Sequence, residues 1–329
     1  MTLGTTELSL IDRWQRDFPL TERPFARVGD AAGLDEAGAI ETFIGLQEAG
    51  VISRIGAVVK PNTVGASTLA AMRVPPGRLE AVAGVVSREP LVNHNYQRTH
   101  AINLWFVIAG PDPGSVAMTV HRIEEQTGLA VLNLPLLQAY HIDLGFPLAG
   151  DRGGRDRNPG SVAGRQPDSL DRTLLAAIED GLPLVARPYH AIAERLGLGE
   201  DDVLDRLRQL TMSGVVKRFG CVVRHRALGY EANAMAVWDI ADENVDDVAE
   251  LFAGNPNVTL CYRRPRHLPD WPYNLFCMVH AKSRPEAFAA IDDLNLVAGT
   301  GLNPQAVLFS TRCFKQRGAM LSNPLRGCA

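Results

Sequence analysis

Apolar residues at Leu8, Ile11, Trp14 and Phe18 recur at the spacing of one helical face and stop before Pro19, which predicts a first helix. Pro24 suits the opening turn of a second helix running to about Ala32, with Gly33 making the turn that follows. Asp35 is placed to cap a third helix, from Glu36 to Glu48, and Gly50 stops it. Val51 to Lys60 then alternates and ends at Pro61-Asn62, the pattern of a strand pair or wing. Helix, helix, glycine turn, helix and wing outline a winged helix-turn-helix.

After the wing the period changes. Ser67 to Val74 predicts a strand, and Gly77 to Ser87 a helix with Leu79, Val82, Val85 and Val86 as its apolar residues. Leu91 to Gln97 and Ala101 to Ala109 read as strands, Val116 to Gln126 as a helix and Gln138 to Ile142 as a closing strand. The order βαββαβ is that of a ferredoxin-like unit.

The whole series then repeats. PLTERPF from Pro19 matches PLVARPY from Pro183, an offset of 183 − 19 = 164. The same offset lays GVISRIGAVV from Gly50 onto GVVKRFGCVV from Gly214, and Gly65 onto Gly229. Such a period is far too long for a solenoid, so it marks a duplicated domain pair. Second-copy helices are expected at Leu170 to Glu179, Pro188 to Leu196 and Asp201 to Met212, with Gly197 as the turn and Val215 to Val223 as the wing. The ferredoxin-like pattern returns at Ala232 to Ile240, Val245 to Phe252, Val258 to Arg263, Asn274 to His280, Pro285 to Leu294 and Val307 to Phe314. The expected class is therefore α+β, a tandem duplication of a winged helix-turn-helix plus a ferredoxin-like domain. The expected domains are residues 1–60 and 61–148 for the first copy and 170–224 and 225–329 for the second. Between them, 149–169 is rich in Gly, Pro, Arg and Asp without apolar period, which predicts a flexible linker.

Composition narrows the function classes. In the 329 residues, 46% hydrophobic and 21% charged content excludes wholesale disorder. No run of about 18 apolar residues is present, and MTLGTTELSL lacks a basic region followed by an apolar core, so a cytoplasmic protein without membrane contact is expected. A formal charge of −4 gives no global attraction to polyanions. Asp35 to Glu48 holds four acidic residues and no basic one. Glu200 to Met212 sets four acidic residues against Arg206 and Arg208, a balance of −4 + 2 = −2. Helices that read DNA bring Arg or Lys to the phosphates, so no nucleic-acid partner is expected. Cys221, Cys261, Cys277, Cys313 and Cys328 are widely spaced and lack zinc spacing, which predicts free thiols.

Candidate chemistry gathers on the two middle hairpins, LVNHNYQRTHAINLWFV from Leu91 and VTLCYRRPRHLPDWPYNLFCMV from Val258. The second carries Tyr262, Arg264 and Asn274-Leu275-Phe276 where the first has Tyr96, Arg98 and Asn103-Leu104-Trp105. Alternation puts His94, Tyr96 and Arg98 on one strand face, with His100 two residues on. Leu260 stands at the His94 position of the second copy, so a pair of related but unequal sites is expected. Arg263, Arg264, Arg266 and His267 precede Trp271 and Tyr273. Arginines form charge-assisted bonds to carboxylates and the rings offer flat surfaces, a combination suited to a planar polycarboxylate. Arg218 after the second wing, and Arg54 as its first-copy counterpart, are further candidates. Nucleotide, flavin and pyridoxal motifs are absent from the sequence.

The motifs NHNYQRTHAINLWFV and CYRRPRHLPDWPYNLFCMVHA resemble those of the sirohaem decarboxylases, Lrp/AsnC-like proteins made of two related subunits. The resemblance spans about residues 7 to 318, and WPYNLF is its most specific block. It implies the fused form of the two subunits, an intramolecular pseudo-dimer, with assembly into a homo-oligomer left open. It also implies that sirohaem loses CO2 from its C12 and C18 acetate side chains to give didecarboxysirohaem. That step belongs to haem d1 biosynthesis and so to denitrification, with the later enzymes of that route as partners. The alternatives are an Lrp/AsnC-type transcription regulator and a non-catalytic tetrapyrrole-binding protein. On the decarboxylase reading His94 is the expected acid, with His100 or Tyr96 assisting. Arg98, Arg54, Arg218, Arg263 and Arg264 are expected to hold the remaining carboxylates, and Tyr262, His267, Trp271, Tyr273, Asn274 and Trp105 to line the ring. No cofactor is expected besides the iron of the substrate, which His94 or His100 is also able to bind axially. The residues leave proton transfer and iron binding both open. Leu260 departs from the pattern often seen in such subunits, which puts a working centre on the second hairpin in doubt.

Overall fold

The computed structural model describes residues 3–142 and 166–320. Most of the expected linker lies outside the described residues, and its last residue already opens a helix that Asp168 caps. The chain divides into two units. One takes the described residues up to Val64 and from 166 to Leu228; the other takes Gly65 to 142 and Gly229 to 320.

The first unit holds both helix-turn-helix copies: α1 (Thr5–Trp14), α2 (Pro24–Ala32), α3 (Glu36–Glu48) and β1 (Ile52–Val59), with their counterparts further on. Gly33 ends α2 with φ +70°, a conformation that side chains rarely adopt, and Asp35 accepts the Gly38 amide at 2.8 Å as the cap of α3. Helix α1 stops at Trp14, short of the expected Phe18, because Asp17 turns the chain with φ +52°. Phe18 still reaches the core, edge-on to both Phe25 and Phe43, while its amide bonds the Phe219 carbonyl at 3.0 Å. In both copies an arginine at the start of the second helix pairs with a glutamate opening the third, Arg23 with Glu36 and Arg187 with Glu200.

The expected wings take a different form. Each copy supplies one strand rather than a strand pair, and β1 runs antiparallel to the second copy's single strand, with Gly56 opposite Gly220. A lone strand leaves one row of amides and carbonyls unmade, and the equivalent strand of the other copy satisfies it.

The second unit opens with β2 (Ala66–Met72), α4 (Leu79–Arg88), β3 (Val92–Arg98), β4 (Leu104–Gly110), α5 (Pro113–Thr127), β5 (Leu132–Pro135) and β6 (Gln138–Ile142). The chain returns to the first unit for α6 (Ser169–Ala177), α7 (Pro188–Leu196), α8 (Glu200–Met212) and β7 (Val216–Val223), the partner of β1. It then completes the second unit with β8 (Ala232–Trp238), α9 (Val245–Gly254), β9 (Val258–Arg263), β10 (Leu275–Ala281), α10 (Arg284–Ala298) and β11 (Gln305–Gln316).

The described strands of this unit form one nine-stranded sheet in the order β5-β2-β4-β3-β11-β8-β10-β9-β6. The closing strands do not stay within their own copies. Residues Gln305 to Phe309 of β11 pair with β8, and Ser310 to Gln316 pair with β3 of the first copy. In the same way β5 pairs with β2, while β6 pairs with β9 of the second copy. One face is covered by helices: Val82, Val86, Ile108 and Ile123 pack beneath the first half, and Trp238, Phe252, Val279 and Ile291 beneath the second.

The other face meets itself. One buried cluster joins Ala71, Trp105 and Leu134 of the first half to Met235, Val237, Phe276 and Leu308 of the second. Strands β4 and β10 stand four places apart in the sheet, so Trp105 and Phe276 share a cluster because the sheet curls. The interior of that curl is apolar and aromatic.

The two facing glycines of the β1–β7 ribbon differ in surroundings. A Cβ on Gly220 would lie 2.4 Å from the Trp14 carbonyl oxygen, whereas one on Gly56 meets nothing closer than 3.5 Å. Gly220→Ala is expected to destabilise the protein by about 1–3 kcal/mol and Gly56→Ala by under about 1, as thermal denaturation would show.

Candidate active site on the curled sheet

Alternation along β3 sends Asn95 and the row His94, Tyr96, Arg98 to opposite faces. Asn95 points to the helices, donating to the Ala83 carbonyl at 3.1 Å and to the Ser87 hydroxyl at 3.0 Å. The row therefore faces the curl. The His94 and Tyr96 rings lie nearly parallel with centroids 6.1 Å apart, and the Arg98 guanidinium sits 6.0 Å from the Tyr96 ring centre. Tyr96 is opposite Trp105 on β4, which brings the expected Trp105 to the same face.

The second hairpin repeats part of this. Tyr262 and Arg264 take the places of Tyr96 and Arg98, with the guanidinium 5.2 Å from the phenol ring centre. Each arginine reaches into the other copy. Arg98 donates to the Leu308 carbonyl at 3.0 Å, and Arg264 to the Leu134 carbonyl at 2.5 Å. The acceptors lie on β11 and β5, in the segments that pair with β8 and β2 of their own copies, just before the chain crosses to the other half. Leu308, Leu134 and Met278, whose sulfur lies 4.0 Å from Arg98, carried no polar signal in sequence; only the strand exchange brings them here.

These arginines are electrostatically exposed in a particular sense. Among the described residues neither meets a carboxylate, and the Nε of each is buried without a hydrogen-bond acceptor. Burial pushes the Arg98 guanidinium down to about 10, partly offset by Tyr96, and does the same for Arg264, partly offset by Tyr262. Both remain charged at neutral pH. Burial also raises the Tyr262 phenol, so Tyr262 stays protonated beside Arg264. Two cations facing an apolar interior without counter-charges are costly, and an anionic ligand would relieve the cost.

His100 follows β3 in the loop to β4. Its Nδ1 accepts the Ile102 amide at 3.0 Å, so the neutral ring carries its proton on Nε2. Burial lowers its pKa below the ordinary 6.5, with Arg73 adding to the effect. The ring meets Trp271 edge-on at 5.6 Å.

Other expected residues are placed differently. Arg263 alternates to the helix face and pairs with Asp242 at 3.1 Å and Asp246 at 3.8 Å, so it is spent on α9 and its preceding loop. Asn274 is buried and holds the backbone of Ile240 through both its amide groups, each at 2.9 Å. Asn103 does the same to Val74, again at 2.9 Å on both sides. These asparagines are structural clamps on the strand ends. Trp271 and Trp105 are fully buried and pack on each other at 5.0 Å, so neither offers a free face for stacking. Tyr273 is half-buried against Trp271, and His267 is exposed, its backbone bonded to that of Trp271. Arg54 and Arg218 belong to the helix-turn-helix unit. There Arg54 approaches the Ala57 carbonyl at 3.4 Å, and the buried Arg218 donates to the carbonyls of Gln15 and Cys221. Among the described residues no group of three or more His, Cys, Asp or Glu is arranged to hold a metal ion, and no helix is long and apolar enough to cross a membrane.

Replacing an uncompensated buried cation with an apolar residue of similar length should stabilise the ligand-free protein. Arg98→Met and Arg264→Met are each expected to add about 1–4 kcal/mol, seen as higher denaturation midpoints without ligand. A lower midpoint in both would show that the guanidiniums are structural.

Comparison with known proteins fits this geometry. The family model described as "AsnC-like ligand binding domain" matches residues 64–141 and 227–315, and "Siroheme decarboxylase NirDL-like HTH domain" matches 7–52 and 171–216. The "Siroheme decarboxylase NirDL subunit" of Paracoccus denitrificans is 45% identical over 327 residues, covering 98% of this chain and 99% of that protein. The "Siroheme decarboxylase NirL subunit" of Stutzerimonas stutzeri is 48% identical over 151 residues, 45% of this chain and 88% of that one. A crystal structure of siroheme decarboxylase NirDL with an iron-uroporphyrin III analogue superposes with TM-score 0.67 and 28% identity, covering 96% of this chain and 94% of that one. With its helix-turn-helix and ligand-binding domains each present twice, and a near full-length relative at this identity, the chain belongs to the sirohaem decarboxylase family of carboxy-lyases.

Proposed function

We propose that the chain decarboxylates the C12 and C18 acetate side chains of sirohaem, giving didecarboxysirohaem for haem d1 biosynthesis in the cytoplasm. The observation that carries this reading is the pair of carboxylate-free arginines, Arg98 buried and Arg264 half-buried, facing an aromatic interior. The bound iron-uroporphyrin III analogue of the related structure is a planar polycarboxylate of the matching kind. The chain's two halves correspond to subunits that occur separately in relatives, so one chain supplies the whole pseudo-dimer.

The chemistry assigned to the residues is simple. Arg98 and Arg264 hold carboxylates and fix the macrocycle, so the reacting acetate is presented in one orientation. An acetate placed away from those cations in the apolar curl is poorly solvated, which favours its conversion to neutral CO2. The electrons of the breaking C–C bond pass to the methylene carbon and into the macrocycle. A proton delivered to that carbon completes the methyl group. His94 is the assigned donor, with the parallel ring of Tyr96 beside it. His100 assists as a neutral donor through Nε2–H, the tautomer set by Ile102, rather than as an iron ligand through that nitrogen. The iron belongs to the substrate, and no other cofactor enters the scheme. Leu260 gives the second hairpin no counterpart of His94, so Arg264 and Tyr262 bind without a matching acid.

Anaerobic incubation with sirohaem followed by mass spectrometry of the extracted tetrapyrrole tests the proposal. Wild type is expected to remove two CO2 and His94→Ala to be slower by about 10²-fold or more. Tight binding of sirohaem at unchanged mass would instead support a carrier.

A further inference from the structure

The two middle hairpins differ in length where they turn. Residues 99–102 join Arg98 to Asn103, while 265–273 join Arg264 to Asn274, five residues more. The insertion folds into a small hairpin in which His267 and Trp271 exchange backbone hydrogen bonds of 2.7 and 2.8 Å. It leans on the first half. Asp270 pairs with Arg73 at 3.3 Å, and Trp271 is enclosed by Trp105 at 5.0 Å, His100 at 5.6 Å, Tyr273 at 4.9 Å and Phe276 at 5.9 Å.

The Trp271 indole N–H is buried without an acceptor among the described residues. A phenylalanine would fill much of the same space without leaving that donor orphaned, so core packing alone does not account for a tryptophan here. What the indole adds is a broad edge contact to His100, whose Nδ1 is occupied by the Ile102 amide. With one ring nitrogen bonded to the Ile102 amide and the indole edge against the ring, turning the imidazole over would break that hydrogen bond, and Nε2–H is left as its polar edge. The charged group that acts on His100 is Arg73, just past β2, and Asp270 from the insertion is paired to Arg73.

We propose that the insertion in the second half is a brace for His100 of the first half, with Trp271 as a positioning residue that locks the Nε2–H tautomer and Asp270 setting the charge beside it. The duplication thereby becomes unequal in a useful way: the half that lacks an acid at Leu260 supports the histidine of the half that has one. The inference rests on the reading of His100 as a proton donor.

The test is NMR of histidine-¹⁵N-labelled, full-length protein without substrate, so it does not depend on decarboxylation. Wild type is expected to show His100 protonated on Nε2 and titrating below 6.5, and Trp271→Phe, which lacks the indole's broad edge, to fall between wild type and Trp271→Leu. Trp271→Leu is expected to mix tautomers and bring the titration toward 6.5, and to lower kcat for sirohaem by about 10- to 100-fold with KM little changed. Asp270→Asn, exposed and mild, should push the titration further down by leaving Arg73 uncompensated. A folded Trp271→Leu protein with the wild-type tautomer and titration would overturn the brace. If Trp271→Leu does not fold, Asp270→Asn decides, and an unchanged His100 titration in it overturns the proposal. A wild type that never releases CO2 would sink the decarboxylase reading separately, while the NMR result would still judge the brace.

Discussion

The exchange of closing strands between the two halves is the constraint on which the ligand-binding unit depends. Strand β11 begins on its own β8 and ends on β3 of the first copy, and β5 and β6 divide their pairing in the same manner. Backbone hydrogen bonds therefore cross between halves at both places, and the shared sheet curls until Trp105 and Phe276 enclose one interior. Lys315, near the end of β11, adds to the tie by donating to the carbonyls of Ser87 and Glu89 at the end of α4. The segments that lead into these crossings also supply the carbonyls of Leu308 and Leu134 that hold Arg98 and Arg264. Fold and site thus share one cause.

Within that interior, charge is kept at a cost. The duplicated unit has several arginines that are fully compensated, such as Arg266 with Asp239 and Asp242 and Arg122 with Glu89. Arg98 and Arg264 are not, although they sit in the more apolar setting. Proteins retain such groups where a ligand completes them, and strain of this kind concentrates at functional sites. The aromatic rings around them exclude water and make each charge–carboxylate contact stronger than it would be at the surface.

Much of this was legible in the sequence, for identifiable reasons. The 164-residue offset exposed the duplication, Gly33 and Asp35 marked helix ends through conformations and caps that few residues supply, and alternation placed His94, Tyr96 and Arg98 on one face. The same alternation sets Arg263 on the opposite face, where it pairs with Asp242, a placement the arginine-rich motif did not distinguish from that of Arg264. Pairing partners were not legible: a period of two identifies a strand but not its neighbour, so β1 with β7 and β11 with β3 came from long-range geometry. Trp271 was visible as a residue of a specific motif, yet its burial as a brace depends on a five-residue insertion whose fold the motif does not state.

The central claim is that carboxylates of a planar tetrapyrrole complete the two uncompensated arginines. An equilibrium titration comparing iron uroporphyrin III with its fully esterified form tests it most directly, since esterification removes the charges while keeping the ring and metal. The account predicts tight binding of the acid and a loss of at least about 100-fold for the ester, the worth of roughly two charge-assisted contacts. Equal binding of the two would show that apolar packing holds the ring and that Arg98 and Arg264 serve some other end.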